Sequence, residues 1–361
     1  MAMSRPTVGG PGPLVWVQQN LFNSVGNGIT TILLLAALFY AVNGLVQWGV
    51  VEAIVRVAPE ECRVSKGACW GFITEKHRLM LFGTYPYAEQ WRPLVASILL
   101  VALVVATCNP RWWGIGMVIA WGIGVPTILI LMGGGLFGFK FPGFTQVDTS
   151  EWGGLPLTLI LATVGVFLSF PLAILLALGR QSNLPAIKAV CIGFIEIIRG
   201  VPLITILFMA SLMIPLFLPS GVNTDKLIRA QIGFIFFAAA YVAEVIRGGL
   251  AAIPKGQYEA ADALGLSYWH KTIFIILPQA LKLVIVPMMN TFIGLFKDTS
   301  LVIIIGMFDL LGAVQLSSND PVWRAFYVEG LVFAAVIYFV ICYSMSRYAR
   351  HLEHSLDTSR R

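Results

Sequence analysis

Charge is what this sequence has least of. Of its 361 residues, 12% are Asp, Glu, Lys or Arg and 58% are hydrophobic, where a soluble globular domain carries about 25% charged residues. A chain this poor in charge cannot clothe two or three soluble domains in polar surface, which excludes a soluble enzyme and a disordered chain. The net charge of +6 is scattered in short segments between apolar runs. No basic run is interleaved with aromatics, so nucleic acid is not a partner. Five cysteines do not make a secreted disulfide scaffold. No Gly-Lys dipeptide occurs, so the phosphate loop with its Gly-Lys-Ser/Thr ending is missing and the chain cannot hydrolyse ATP alone. A zinc-protease His-Glu-x-x-His and a Gly-x-Ser-x-Gly nucleophile elbow are also missing. No spacing of His, Cys, Asp or Glu indicates a metal site, and no cofactor is expected on this chain.

Long apolar runs are what the sequence has in abundance. A helix that spans a bilayer needs about 20 mainly apolar residues. Eight stretches qualify: 29–51, 93–108, 113–135, 156–179, 187–218, 227–246, 282–306 and 323–346. They predict an all-α polytopic membrane protein with about eight transmembrane helices. The first begins too far in for a secretory signal and has no small-residue cleavage site after it, so it is expected to be retained. Eight spans place both termini on one side, and basic loops stay cytoplasmic. With both ends inside, the inner segments hold twelve Lys and Arg and the outer segments ten, six of them in one long loop. The expected layout has a cytoplasmic tail at 1–28, then three spans over 29–154 with an outer loop at 52–92. Five spans over 155–346 follow, with a cytoplasmic loop at 247–281, and a basic cytoplasmic tail closes the chain at 347–361. The 52–92 loop holds Cys62 and Cys69. Outside the cytoplasm these are candidates for a disulfide, the alternative being two free thiols in a loosely ordered loop. Cys108, Cys191 and Cys342 lie in or beside apolar spans, where Cys acts as a small hydrophobe.

One cytoplasmic segment, 241–280, reads differently from every other loop. Tyr258 to Leu264 is rich in Ala, Glu and Leu, and Gly265 breaks the run. A second short amphipathic piece is expected from Trp269 to Leu277, stopped by Pro278. Two short helices with a glycine bend form a rigid knob, suited to docking into a partner's groove. The same residues carry a spaced pattern: Glu259, Ala260, Ala261, then Gly265, Ile275, Leu277 and Pro278.

That pattern resembles the cytoplasmic loop signature of ATP-binding-cassette importer permeases. Ala240-Tyr241, Ala243-Glu244, Arg247-Gly248-Gly249, Gly256-Gln257, Arg199-Gly200-Val201-Pro202 and Lys297-Asp298-Thr299-Ser300-Leu301 narrow the likeness to the polar amino-acid branch, the histidine/glutamine permease-like family. That branch more often has Thr where Val201 stands, which keeps the bend at Pro202 and removes a polar contact. The resemblance covers about 155–350. The three additional N-terminal spans are similar in layout to the longer membrane subunit of general L-amino-acid uptake systems. The resemblance implies a type I ABC importer permease core at 155–346, with 29–154 as an extension, in a bacterial inner membrane. It further implies a second permease subunit forming a heterodimer, two copies of an ABC ATPase holding ATP and Mg²⁺, and a periplasmic amino-acid-binding protein. Glu259, Ala260, Ala261, Gly265, Ile275, Leu277 and Pro278 would then couple this chain to the ATPase. The two alanines would keep the helix thin enough to enter a cleft, and Gly265 would permit the bend.

Ionisable residues at membrane depth are costly and are functional candidates by default. Glu196 and Arg199 sit three apart, as do Glu244 and Arg247, the helical spacing for structural ion pairs. Lys297 and Asp298 are adjacent, so on a helix they point about 100° apart. With Asn290, Thr299 and Ser300 they form a candidate substrate pathway, since an amino acid carries an ammonium and a carboxylate. Ion pairs that pack helices together are the alternative. Pro126, Pro171, Pro202, Pro215 and Pro287 interrupt spans, and broken helices accompany substrate sites in transporters. The competing function from another class is an ion-coupled secondary amino-acid carrier that works alone.

Overall fold

The computed structural model describes residues 12–55, 59–136, 139–217, 219 and 224–356. Arg5, Arg56, Arg360 and Arg361, which entered the count of basic residues, lie outside them, as do the first eleven residues of the expected N-terminal tail and the last five of the chain. The chain parts into two compact units, Met1–Thr74 and Glu75–Arg361.

In the first unit, α1 (Pro13–Leu21) is followed by α2 (Val25–Val46), which continues as a π-helical turn through Val51. Ser24 starts α2 by accepting a hydrogen bond from the Asn27 N–H at 3.2 Å, satisfying one of the orphan donors at a helix start. After α3 (Pro59–Val64) the backbone returns to α2: the Trp70 indole donates to the Gly49 carbonyl at 2.9 Å. Cys62 and Cys69, both buried, are joined as a disulfide. Helix α4 (Gly71–Phe82) leads into the second unit.

That unit opens with α5 (Trp91–Thr107) and α6 (Ile115–Gly133), then a two-stranded hairpin of β1 (Gly135–Leu136) and β2 (Phe139–Lys140). Helix α7 (Gly154–Arg180) follows. Ala96, Leu100 and Leu103 of α5, Ile128 and Met132 of α6, and Ile160 of α7 share one core with Trp152. Residue 154, where the extension was expected to end, therefore falls inside a continuous core. The last carbonyls of α6, unpaired at any helix end, are capped from α5 and its approach. The buried Arg92 donates through Nε to Leu131 at 2.7 Å and the Tyr85 hydroxyl donates to Met132 at 2.8 Å.

Helices α8 (Pro185–Gly200) and α9 (Leu203–Leu212) meet at 107°, with the one-turn α10 (Ile214–Phe217) after them. The span expected over 187–218 is thus a broken one. Pro202 has no N–H to continue α8, and it starts α9 instead. Pro126 and Pro171 lie inside continuous helices, and Pro287 occupies a first turn, where its missing N–H costs nothing.

Helix α11 (Lys226–Ala251) packs along α7 through small residues: Ala173 and Ala177 share a core with Ala238, Ala239 and Ala243. Within lipid, close van der Waals packing of small residues replaces the hydrophobic effect as the force between helices. The expected knob follows as α12 (Lys255–Ala263), α13 (Tyr268–Lys271) and α14 (Leu277–Leu283). Helix α15 (Ile285–Asp298) runs on as a 3-10 segment to Ile305, and α16 (Leu310–Ser317) and α17 (Tyr327–Leu356) complete the fold. Residues 347–356, expected to begin a tail, prolong α17, since no Gly or Pro stops the helix there. Tyr348 fastens it by donating to the Cys108 carbonyl at 3.1 Å.

Among the described residues, six helices are long and apolar enough to cross a membrane, and seven if α8 and α9 count as one span. Helix α5, an apolar helix of 17 residues, is at the short end of the about 17–25 residues that cross a hydrocarbon core, and counted with those seven it would make the expected eight.

Candidate functional site

The loop after α11 is built from local rules. Helix α12 begins directly after Pro254 and ends in a Schellman motif. The Leu266 N–H donates to the Ala261 carbonyl at 3.2 Å and the Gly265 N–H to the Asp262 carbonyl at 2.9 Å. Gly265 sits at φ +69°, the left-handed conformation that this motif demands and that glycine adopts without strain. Ser267 then caps α13. The second helical piece does not stop at Pro278 as expected. A π-helical turn over Thr272–Ile276 precedes it, and the chain continues as helix to Leu283. The wider turn carries the helix past a residue that has no N–H to donate.

Three contacts make the knob rigid. Lys271 forms an ion pair with Asp262 at 2.5 Å, Gln279 donates to Gln257 at 3.1 Å, and the Tyr258 hydroxyl donates to the Leu250 carbonyl at 3.3 Å. Burial raises the Tyr258 phenol above its ordinary value, opposed by the nearby Lys271. Helices α11 and α14 touch backbone to backbone: a Cβ on Gly249 would stand 2.7 Å from the Ala280 carbonyl oxygen. Gly249→Ala is therefore expected to pry these helices apart at about 1–3 kcal/mol, the usual cost of overpacking. A lowered thermal midpoint beside an unchanged Gly248→Ala control, where a Cβ meets nothing within 4 Å, would register it.

The signature residues divide into two groups. Glu259, Ala260 and Gly265 are exposed, with Leu264 projecting beside them. Ala261 is buried, while Ile275 and Leu277 pack against the core that holds α7, α11 and α15. Of the two alanines, therefore, only Ala260 lies on the exposed face of α12. Pro278 is exposed.

The charges near the C-terminal ends of α7, α8 and α11 form one cluster. Glu244 binds Arg247 on its own helix, with Nε at 2.6 Å from Oε1. Its other oxygen faces Arg180 at 3.3 Å and Arg199 at 3.6 Å. Glu196 pairs with Arg180 at 2.9 Å and not, as its spacing suggested, with Arg199. The guanidinium of Arg199 turns toward Glu244 and lies 5.5 Å from the Tyr241 ring. Arg180, the centre of two of these pairs, was missed as a site residue. It ends an apolar run, and nothing in its local sequence indicates which helices lie beside it.

Along α15, Asn290, Gly294 and Lys297 fall at helical spacing. Asn290 and Lys297 are exposed, while Met288, Phe292, Leu295 and Phe296 are buried. Asp298 is half-buried, and among the described residues neither it nor Lys297 belongs to an ion pair. Thr299, expected on the same path, is fully buried and donates to the Phe296 carbonyl at 2.8 Å. Ser300 is half-buried and donates to the Lys297 carbonyl at 2.9 Å. Sequence reading also passed over Asp309, a fully buried carboxylate. It caps α16 by accepting from the Gly312 N–H at 2.9 Å and accepts the Tyr338 hydroxyl at 2.8 Å. Burial pushes its carboxyl up, and these donors pull the other way. Its place just before an apolar helix was a capping signal.

Comparison with known proteins places these features. The family described as binding-protein-dependent transport system inner membrane component matches residues 169–358. The inner membrane amino-acid ABC transporter permease protein YhdY of Escherichia coli is 48% identical over 96% of this chain and 94% of that protein. The glutamate/glutamine/aspartate/asparagine transport system permease protein BztC of Rhodobacter capsulatus is 37% identical, over 100% of this chain and 98% of its own length. A structure described as the crystal structure of an amino acid ABC transporter with histidines is 31% identical. It covers 56% of this chain and 92% of its own, with a TM-score of 0.50.

Proposed function

This chain belongs to the family of inner membrane components of binding-protein-dependent transport systems, and on that premise we propose that it is the longer of two permease subunits in an ATP-driven amino-acid importer. Membership in that family sets aside the ion-coupled carrier, and it makes the chain a translocation subunit of the inner membrane, not an enzyme. Amino acids as cargo rest on the names of the two long relatives.

The observation that carries the coupling role is the exposed, braced helix α12, ended by Gly265 in the left-handed conformation. It enters a cleft on an ABC ATPase, which holds the ATP and Mg²⁺. Glu259, Ala260 and Gly265 face the cleft, and Ile275 and Leu277 seat the loop on the bundle. Two ATPase copies serve this chain and a second permease subunit, joined as a heterodimer, with both termini of this chain in the cytoplasm. A periplasmic amino-acid-binding protein delivers cargo to a path lined by Asn290, Lys297 and Asp298, where opposite charges suit the two ends of a zwitterion. The core at 155–346 carries path and lever, and 29–154 is an extension to it. ATP shifts a two-state equilibrium through its stronger binding to the closed ATPase pair, and α12 conveys that shift.

Purification from native membranes in mild detergent, with mass spectrometry of whatever stays bound, tests this. An ABC ATPase and a second permease are expected in the purified material. A chain that emerges alone, under conditions that keep known importers whole, would remove the assembly proposed here.

A further inference from the structure

Five charged side chains from three helices converge near the C-terminal ends of α7, α8 and α11, and only two of them neighbour each other in a way their local sequence specifies. Glu244 is the shared member: it meets Arg247 on α11, Arg180 at the end of α7 and Arg199 in the last turn of α8. We propose that Glu244 is a positioning residue for transport, an ionic hub that joins the coupling helix to the broken span. The inference rests on the coupling role given above to α12.

The connections on both sides of the hub carry it. Below it, α11 is one continuous helix from Glu244 to Leu250, whose carbonyl accepts the Tyr258 hydroxyl of α12 at 3.3 Å. Gly249 meets the Ala280 backbone on the opposite side, so the knob cannot move without moving the end of α11. Above it, Arg199 stands one residue before Gly200, where α8 ends and the chain turns by 107° into α9. A hydrogen bond from Arg180 to Glu196 at 2.9 Å fixes the C-terminal part of α8 to α7 as well. A displacement of α12 thus reaches the bend through Leu250, Glu244 and Arg199.

The chemistry favours a hub over a set of separate pairs. The side chain of Glu244 is 19% exposed, against 56% for Glu196, so Glu196 has water to turn to and Glu244 has little. One carboxylate holds three guanidinium groups that repel one another when it is gone. Its two oxygens are divided between helices, one for α11 and one for α7 and α8. A neutral amide of the same shape keeps one acceptor oxygen and loses the charge that draws all three together.

The test is the ratio of amino acid imported to ATP hydrolysed, in the whole importer reconstituted in proteoliposomes with its binding protein. Glu244→Gln is expected to keep the ATPase bound and to lower uptake per ATP by roughly tenfold, with Glu244→Asp recovering most of it. Two outcomes overturn the proposal. One is an unchanged ratio in Glu244→Gln. The other is equal recovery by Asp and by Ala, which would make the site one of packing alone. Should Glu244→Gln prevent assembly, Arg199→Gln is measured in its place, since it removes only the link to the bend, and a ratio that stays at the native value overturns the proposal. Gly265→Asp measured alongside separates the two ideas: if it fails to uncouple, the role of α12 itself is wrong, whereas uncoupling there and none at Glu244 removes the hub alone.

Discussion

Gly265→Asp is expected to bring uptake to background while the permease remains folded and inserted. A Cβ at Gly265 would meet nothing within 4 Å in this chain, so the branch point itself meets no clash inside the protein. The remaining internal cost is the left-handed backbone at φ +69°, about 1–2 kcal/mol for a residue with a Cβ. In a partner's cleft the outcome is different. An unpaired carboxylate buried at an interface costs about 2–5 kcal/mol, so docking should weaken by about thirtyfold or more. Uptake into membrane vesicles and retention of the ATPase on the purified permease should fall together, with the amount of inserted permease unchanged. Gly265→Ala carries the same backbone cost without charge or reach, and should keep most of the retention. Native uptake by the Asp variant would mean that this end of α12 does not face the ATPase.

Arg92→Met should be the most destabilising single change in the second unit. The guanidinium is fully buried and donates to the Leu131 carbonyl at 2.7 Å and the Thr145 carbonyl at 2.9 Å. Methionine fills much the same volume but strands the Thr145 carbonyl, leaves the Leu131 carbonyl with only the Tyr85 hydroxyl at 3.3 Å and takes the ion partner from Glu89, with each stranded group costing about 1–3 kcal/mol. It also removes a positive charge from the end of α6, where the helix dipole favours one. Lysine does not rescue the site, since a single ammonium cannot reproduce a planar fork that reaches both the end of α6 and the Thr145 loop. A loss of about 3 kcal/mol would show as a clear drop in thermal midpoint in detergent, measured against Arg111→Met on an exposed arginine. Equal midpoints for the two variants would mean that the hairpin is held by something other than this side chain.

The parts of the site that were legible in the sequence are those governed by neighbours along the chain. Gly265 ends a short helix because a Schellman motif needs a residue that accepts positive φ. The exposed face of α15 follows from its period: Asn290 and Lys297 recur two turns apart, with Phe292, Leu295 and Phe296 between them on the buried side. Thr299 shows where adjacency misleads. It follows Lys297 and Asp298 directly, yet the helix turns its hydroxyl back to Phe296 and into the core. Pro278 shows the same for helix ends, since a π-turn carried the helix through a residue expected to stop it.

The chain alone determined that it lives in a membrane, that its loop after α11 is a rigid helical knob, and that this knob carries the family's signature. Composition sets the solvent a chain can tolerate, and spacing within a few residues sets a short helix and its cap. Only the tertiary structure decided that Glu196 pairs with Arg180, that Glu244 gathers three arginines, that Ala261 faces inward, and that 187–218 is broken by 107°. Those outcomes depend on which helices stand side by side. A charge separated by 16 or 64 residues along the chain, as Arg180 is from Glu196 and Glu244, becomes a partner only when packing brings its helix within reach. Coulomb attraction and desolvation depend on distance through space, and no local pattern records it.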